Sequence, residues 1–162
     1  MAPLPQDKEF YYKTKSLDWI TPESFDIPKS TQNQLGLAIY WIRKMDTEKS
    51  ISNKIKCILN AQTNIANILK FTSGKDKEPG SDETTPIFTY AILKAQPKRI
   101  FSNLNYIKCF LDNDSSQSRF ILTQVEAYIT HIMEINYKTL GITKEEFDNK
   151  VAQTMKRNNL IK

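Results

Sequence analysis

The sequence predicts an all-α fold, a single helical-bundle domain of about six helices, and three observations carry that expectation. Apolar series suited to helices recur in five separate stretches and a capping-box pattern opens a sixth, with no strand-like alternation of any length. Glycine is scarce, at Gly36, Gly74, Gly80 and Gly141, and the last three stand between stretches that read as helices. A chain of 162 residues, 40% hydrophobic, is long enough for one ordinary core and hardly for two.

Residues 1–15 are polar and carry prolines, so a flexible leader is expected there, followed by a helical domain over 16–157 and a tail at 158–162. Leu17-Asp18-Trp19-Ile20-Thr21-Pro22, with Phe25, Ile27 and Pro28, is an apolar series interrupted by prolines. It reads as an irregular segment that anchors on the core through Trp19 and Phe25. Leu35, Ala38, Ile39, Ile42 and Met45 predict a first long helix from Thr31 to Met45, capped by Ser30 or Thr31. The second helix is expected to start after Ser52, and its wide stripe from Ile55 to Leu69 suggests a central position.

Thr72 to Glu83 reads as the longest internal loop. A third helix follows, with Pro86 in its first turn, where a missing N–H costs nothing, and Pro97 at its end. A fourth, from Phe101 to Leu111, would turn Leu104, Ile107, Phe110 and Leu111 inward, and Asp112–Ser118 is a polar turn. Leu122, Val125, Ile129, Ile132 and Met133 mark a fifth helix over Arg119–Ile135. Thr143 with Glu146 is a capping-box pattern opening a sixth toward Lys156.

The net charge of +5 comes from Lys and Arg that are dispersed among acids and never form a run longer than two, so nucleic-acid binding is not expected. Cys57 and Cys109, each within a predicted helix, read as reduced, packed thiols of a cytosolic protein. The first ten residues lack the apolar stretch of a signal peptide, and no later run approaches membrane-spanning length. Membrane contact is therefore expected only by recruitment. His131 is the single histidine, without Cys or His nearby in sequence, which argues against a metal site or a Ser–His dyad. No phosphate-cradling glycine loop is present, so neither a cofactor nor covalent chemistry is expected.

Three segments stand out by their order. They are Lys56-Cys57-Ile58-Leu59-Asn60; Ser81-Asp82-Glu83-Thr84-Thr85-Pro86, with Tyr90-Ala91-Ile92-Leu93-Lys94-Ala95-Gln96-Pro97 behind it; and Ser102-Asn103-Leu104-Asn105-Tyr106-Ile107. From about Leu17 to Val151 this series resembles the vacuolar-protein-sorting-nine (Vps-nine) family. That family carries a small-Asp-acid-x-x-Pro motif, an apolar helix ending in Lys-x-x-Pro, and Ser-Asn-x-x-Tyr-Ile. Leu17-Asp18-Trp19-Ile20-Thr21-Pro22 and Leu122-Thr123 are similar to further landmarks of it.

The resemblance implies a guanine-nucleotide exchange factor that promotes GDP release from endosomal Rab GTPases of the Rab-five subfamily. It further implies a role in vesicle and vacuolar or endosomal trafficking, in the cytoplasm and peripherally on endosomal membranes. Such a factor must bind the nucleotide-free state better than the loaded one, and each ~1.4 kcal/mol of that preference is tenfold in rate. By the same resemblance Asp82 is the catalytic residue, an acidic finger offered to the lysine of the GTPase phosphate loop and repelling the metal and β-phosphate. Pro86, Phe120, Thr123 and Asn103 match partner-binding positions. Without the resemblance, Asp82 reads as a helix-dipole partner, Pro86 as a first-turn proline, Thr123 as a hydroxyl bonded to the preceding turn, and Asn103 as a helix cap.

Two departures from the family pattern matter. Its Tyr-Tyr-x-Thr run is here Phe120-Ile121-Leu122-Thr123, so Phe120 keeps a ring but has no hydroxyl to hydrogen-bond. The helices that usually precede the Trp-x-Thr-Pro segment are replaced by a short polar leader, as in a fragment or a reduced homologue. Their loss would expose part of the stripes on the first two helices and favour poor solubility or a dimer. The alternative reading is a degenerate Rab-binding module without exchange activity; a third is a helical scaffold unrelated to GTPases.

Overall fold

The structure is a computed structural model and describes residues 3–74, 79–111 and 116–158. Among them are nine α-helices: α1 Pro5–Ser16, α2 Lys29–Gln32, α3 Gly36–Lys44, α4 Ile51–Ser73, α5 Ser81–Ala95, α6 Ile100–Phe110, α7 Ser116–Met133, α8 Tyr137–Leu140 and α9 Lys144–Arg157. A 3-10 turn at Pro22–Phe25 precedes α2. The all-α class is as expected, and the count exceeds six because α1, α2 and α8 are polar or a single turn long, without an apolar stripe to reveal them.

The supposed leader is the largest correction. Residues 5–16 form α1, which packs on α6, α7 and α9. Phe10 is fully buried, edge-on to Phe101 with ring centroids 6.0 Å apart. Asp7, also fully buried, explains why a polar helix docks there. Its Oδ1 accepts from the backbone N–H groups of Phe101 (2.8 Å) and Ser102 (3.1 Å), and its Oδ2 accepts from the Leu4 N–H (2.8 Å) and the Ser102 hydroxyl. One carboxylate thus binds the first turn of α1 and caps α6, whose own N-cap, Arg99, supplies no side-chain hydrogen bond.

The segment after α1 anchors as expected, with Trp19 edge-on to Phe147 and Phe25 edge-on to Tyr90, each pair 5.7 Å apart. The first long helix is broken at residues 33–35, where Gln34 and Leu35 bond three residues back and Leu35 turns into the core. Ser50 rather than Ser52 caps α4, accepting from the Asn53 N–H at 3.1 Å. Helix α4 packs on α3, α5, α6 and α7, yet the most enclosed helix is α5, in which every residue from Ile87 to Leu93 is buried.

Two boundaries and one orientation differ from expectation. Helix α4 runs on to Ser73, with Gly74 closing it at φ 68°, a left-handed conformation that favours glycine. Helix α5 begins at Ser81, five residues before the expected Pro86. Phe110 ends α6 on the outside, 64% exposed, instead of facing inward. The rest of the expected loop at 75–78, the polar turn at 112–115 and the tail at 159–162 lie outside the described residues.

Cys57 is buried, and burial pushes its thiol pKa up, whereas Cys109 is exposed. Since the thiolate is the reactive species, iodoacetamide at neutral pH is expected to alkylate Cys109 alone in the folded protein, and Cys57 only after denaturation. Peptide mass mapping of a labelling time course checks this; equal labelling of both would contradict the packing around Cys57.

Candidate functional site

Helix α5 starts without a side-chain cap at Gly80, and the acids Asp82 and Glu83 in its first turn face the positive end of its dipole. Asp82 is exposed. Pro86 is the sixth helical residue, so its ring removes the N–H that would bond the Asp82 carbonyl and crowds that oxygen. The loss is tolerated because that carbonyl belongs to an exposed first turn, where water can satisfy it.

Opposite stands α7. Phe120 is 64% exposed, Thr123 is exposed, and the Thr123 hydroxyl donates to the Arg119 carbonyl at 3.0 Å, one turn back. The two helices are locked together by Phe88 stacked on Tyr128, with centroids 4.9 Å apart. Burial raises the Tyr128 pKa, and a hydrogen bond with Thr85 opposes the shift. Asp82, Pro86, Phe120 and Thr123 therefore lie on two helices packed against each other. Beside Pro86 is a depression of about 330 Å³ whose lining includes Phe25, Thr89, His131 and Leu140. The Thr89 hydroxyl there is buried and has no hydrogen-bond partner.

Asn103 is placed elsewhere. It lies within α6, 2% exposed, and neither caps a helix nor offers its amide to the surface. Its Oδ1 accepts from Lys54 Nζ at 2.7 Å, and its Nδ2 donates to Asp46 Oδ1 at 3.0 Å. Burial lowers the Lys54 pKa, and the nearby Asp46 charge partly restores it. The Ser-Asn pair is a structural joint, with Ser102 bound to Asp7 and Asn103 to Lys54 and Asp46.

Other sequence landmarks also prove to be joints. Lys94 Nζ donates to the Asp18 carbonyl at 2.7 Å, and Gln96 Nε2 donates to Asp18 Oδ1 at 2.9 Å. The Lys-x-x-Pro end of α5 thus clasps the segment that holds Trp19. Sequence reasoning missed Phe110 as a surface residue because its apolar character and spacing are the same whether a last helical turn is covered or open.

Fold and site together define an all-helical domain that presents an acidic helix start and an adjoining helix face at its surface. The profile of the family described as "Vacuolar sorting protein 9 (VPS9) domain" matches residues 35–137, more than half of the sequence, and the chain belongs to that family.

Among its relatives is the Vacuolar protein sorting-associated protein 9A of Oryza sativa subsp. japonica, 28% identical over 95% of this chain and 34% of that protein. The Rab5 GDP/GTP exchange factor of Mus musculus is 25% identical over 88% of this chain and 30% of its own length. Vacuolar protein sorting-associated protein vps901 of Schizosaccharomyces pombe is 27% identical over 95% and 27%, respectively. The chain thus spans about a third or less of each of these relatives. Among the described residues, no helix is long and apolar enough to cross a membrane.

Proposed function

We propose that this chain is a guanine-nucleotide exchange domain that accelerates GDP release from a small Rab-type GTPase, with a Rab-five-type GTPase of endosomal membranes as the preferred partner. The observation that carries the proposal is the exposed carboxylate of Asp82 in the first turn of α5, a helix that carries Pro86 and packs on α7, where Phe120 and Thr123 are exposed. Family membership and a relative named as a Rab5 GDP/GTP exchange factor support it.

Asp82 acts without covalent chemistry. It offers a negative charge to the lysine that otherwise holds the β-phosphate and repels both metal and phosphate, so the nucleotide-free state is bound better than the loaded one. Phe120 and Thr123 seat the switch regions of the GTPase, and the working unit is residues 16–157 with α1 docked on it. The protein reaches endosomal membranes by recruitment.

The test is release of labelled GDP from a Rab-five-type GTPase, with and without the chain. Release no faster than the intrinsic rate, with no binding in any nucleotide state, sinks the proposal. One residue favours a second reading, a module that binds the GTPase but exchanges poorly, because the exposed ring of Phe120 brings no hydroxyl to the interface. A hydrogen bond contributes typically ~0.5–1.5 kcal/mol, so Phe120→Tyr is expected to speed release up to about tenfold without changing the melting temperature. An unchanged rate in stopped-flow release would show that the missing hydroxyl is not what limits this chain.

A further inference from the structure

Cations that are dispersed in the sequence converge at the end of the bundle opposite Asp82. Helix α5 is 15 residues long, so the link that follows it lies roughly 20 Å from Asp82, at ~1.5 Å per residue. Beside that link is a depression of about 600 Å³ lined by Lys49 before α4, Lys54 on α4, and Lys98 and Arg99 between α5 and α6. Asp46 and Glu48 also line it, and both are engaged in the fold. Asp46 accepts from the Lys98 and Arg99 N–H groups (2.9 and 3.2 Å) and from Asn103, while Glu48 accepts from Asn53 and lies 3.8 Å from Lys44.

Lys54 is the unusual member, only 6% exposed. An ammonium has three donors, and its two direct partners, the Met45 carbonyl at 2.9 Å and Asn103 Oδ1 at 2.7 Å, are neutral. A cation held this deep on neutral acceptors gains from an anion delivered into the same depression. Lys49 and Lys98 are both exposed where they line it, and Lys98 lies 5.7 Å from the Tyr11 ring centroid. The ligand that matches is compact, doubly charged and rich in acceptor oxygens, suiting lysine point charges and a guanidinium.

We propose that this basin binds a phosphomonoester group, carried either by a membrane lipid headgroup or by a soluble phosphate. The occupied basin would leave Asp82 and the α7 face clear, because α5 separates the two ends.

The experiment measures sedimentation of the full chain with phosphatidylcholine vesicles containing either phosphatidic acid or phosphatidylserine, matched in surface charge. Amide NMR with inorganic phosphate runs in parallel. The expected result is binding to phosphatidic acid vesicles at least about tenfold stronger than to phosphatidylserine vesicles, lost in Lys49→Glu/Lys98→Glu while the melting temperature holds. Shifts at Lys98, Arg99 and Asn103 with inorganic phosphate, without vesicle binding, would assign the site to a soluble phosphate. Equal binding to both vesicle types, a charge-reversed variant that binds like the parent, or no response to either probe would overturn the proposal.

Discussion

Replacing Asp82 with alanine is expected to slow GDP release from the partner GTPase about 100-fold relative to the unmodified chain, a loss of ~2.7 kcal/mol in transition-state stabilisation. Removing one member of a charge pair that becomes buried in a complex costs ~2–5 kcal/mol, which sets the scale. The fold should hardly notice. Asp82 is exposed, and Glu83 remains in the same first turn to face the helix dipole, a term of only ~0.3–1 kcal/mol. Asp82→Asn separates charge from shape, and its release rate should lie nearer to alanine than to aspartate. If Asp82→Ala is as fast as the parent at equal GTPase concentration, the acidic finger is not what drives release.

The second large effect concerns stability. Asp7→Ala should lower the unfolding free energy by about 3–4 kcal/mol, read as a urea midpoint shifted at unchanged slope. The substitution removes the acceptor of three backbone N–H groups and one hydroxyl, and the Ser102 groups among them are buried. A lost helix cap costs typically ~0.5–2 kcal/mol and an orphaned buried donor ~1–3 kcal/mol. Ser102→Ala in the same background should cost less than it does alone, because its partner has already gone. A loss below about 1 kcal/mol for Asp7→Ala would mean that water takes over the cap and that α1 is not the clamp its contacts describe.

Legibility in the sequence followed the kind of force at work. Helices α4, α6, α7 and α9 were readable because each buries a stripe at helical spacing or opens with a side-chain cap, as Thr143 does by accepting from the Glu146 N–H at 3.1 Å. Helix α1 was not, since what docks it is a buried carboxylate whose partners on α6 lie more than ninety residues away, and nothing local marks Asp7 as buried. Helix α8 did leave a trace, the Asn136 and Thr139 pair that bond each other's backbone, but one turn of chain carries little pattern.

The candidate site divided along the same line. Asp82, Pro86 and Thr123 carry local signals of a charged helix start, a proline near that start and a hydroxyl back-bond. The burial of Asn103 depends on Lys54 and Asp46, about fifty residues before it. The same holds for charge. No run of the sequence is basic, and only folding brings Lys49, Lys54, Lys98 and Arg99 to one basin.

The Asp7 clamp also sets a timetable. Its carboxylate leaves the ribosome 95 residues ahead of the Ser102 N–H that it must bind, a delay of about 5 to 20 seconds at ~5–20 residues per second. During that interval α1 has neither α6 to cap nor Phe101 to cover Phe10. Helix α1 is thus made early and docks late.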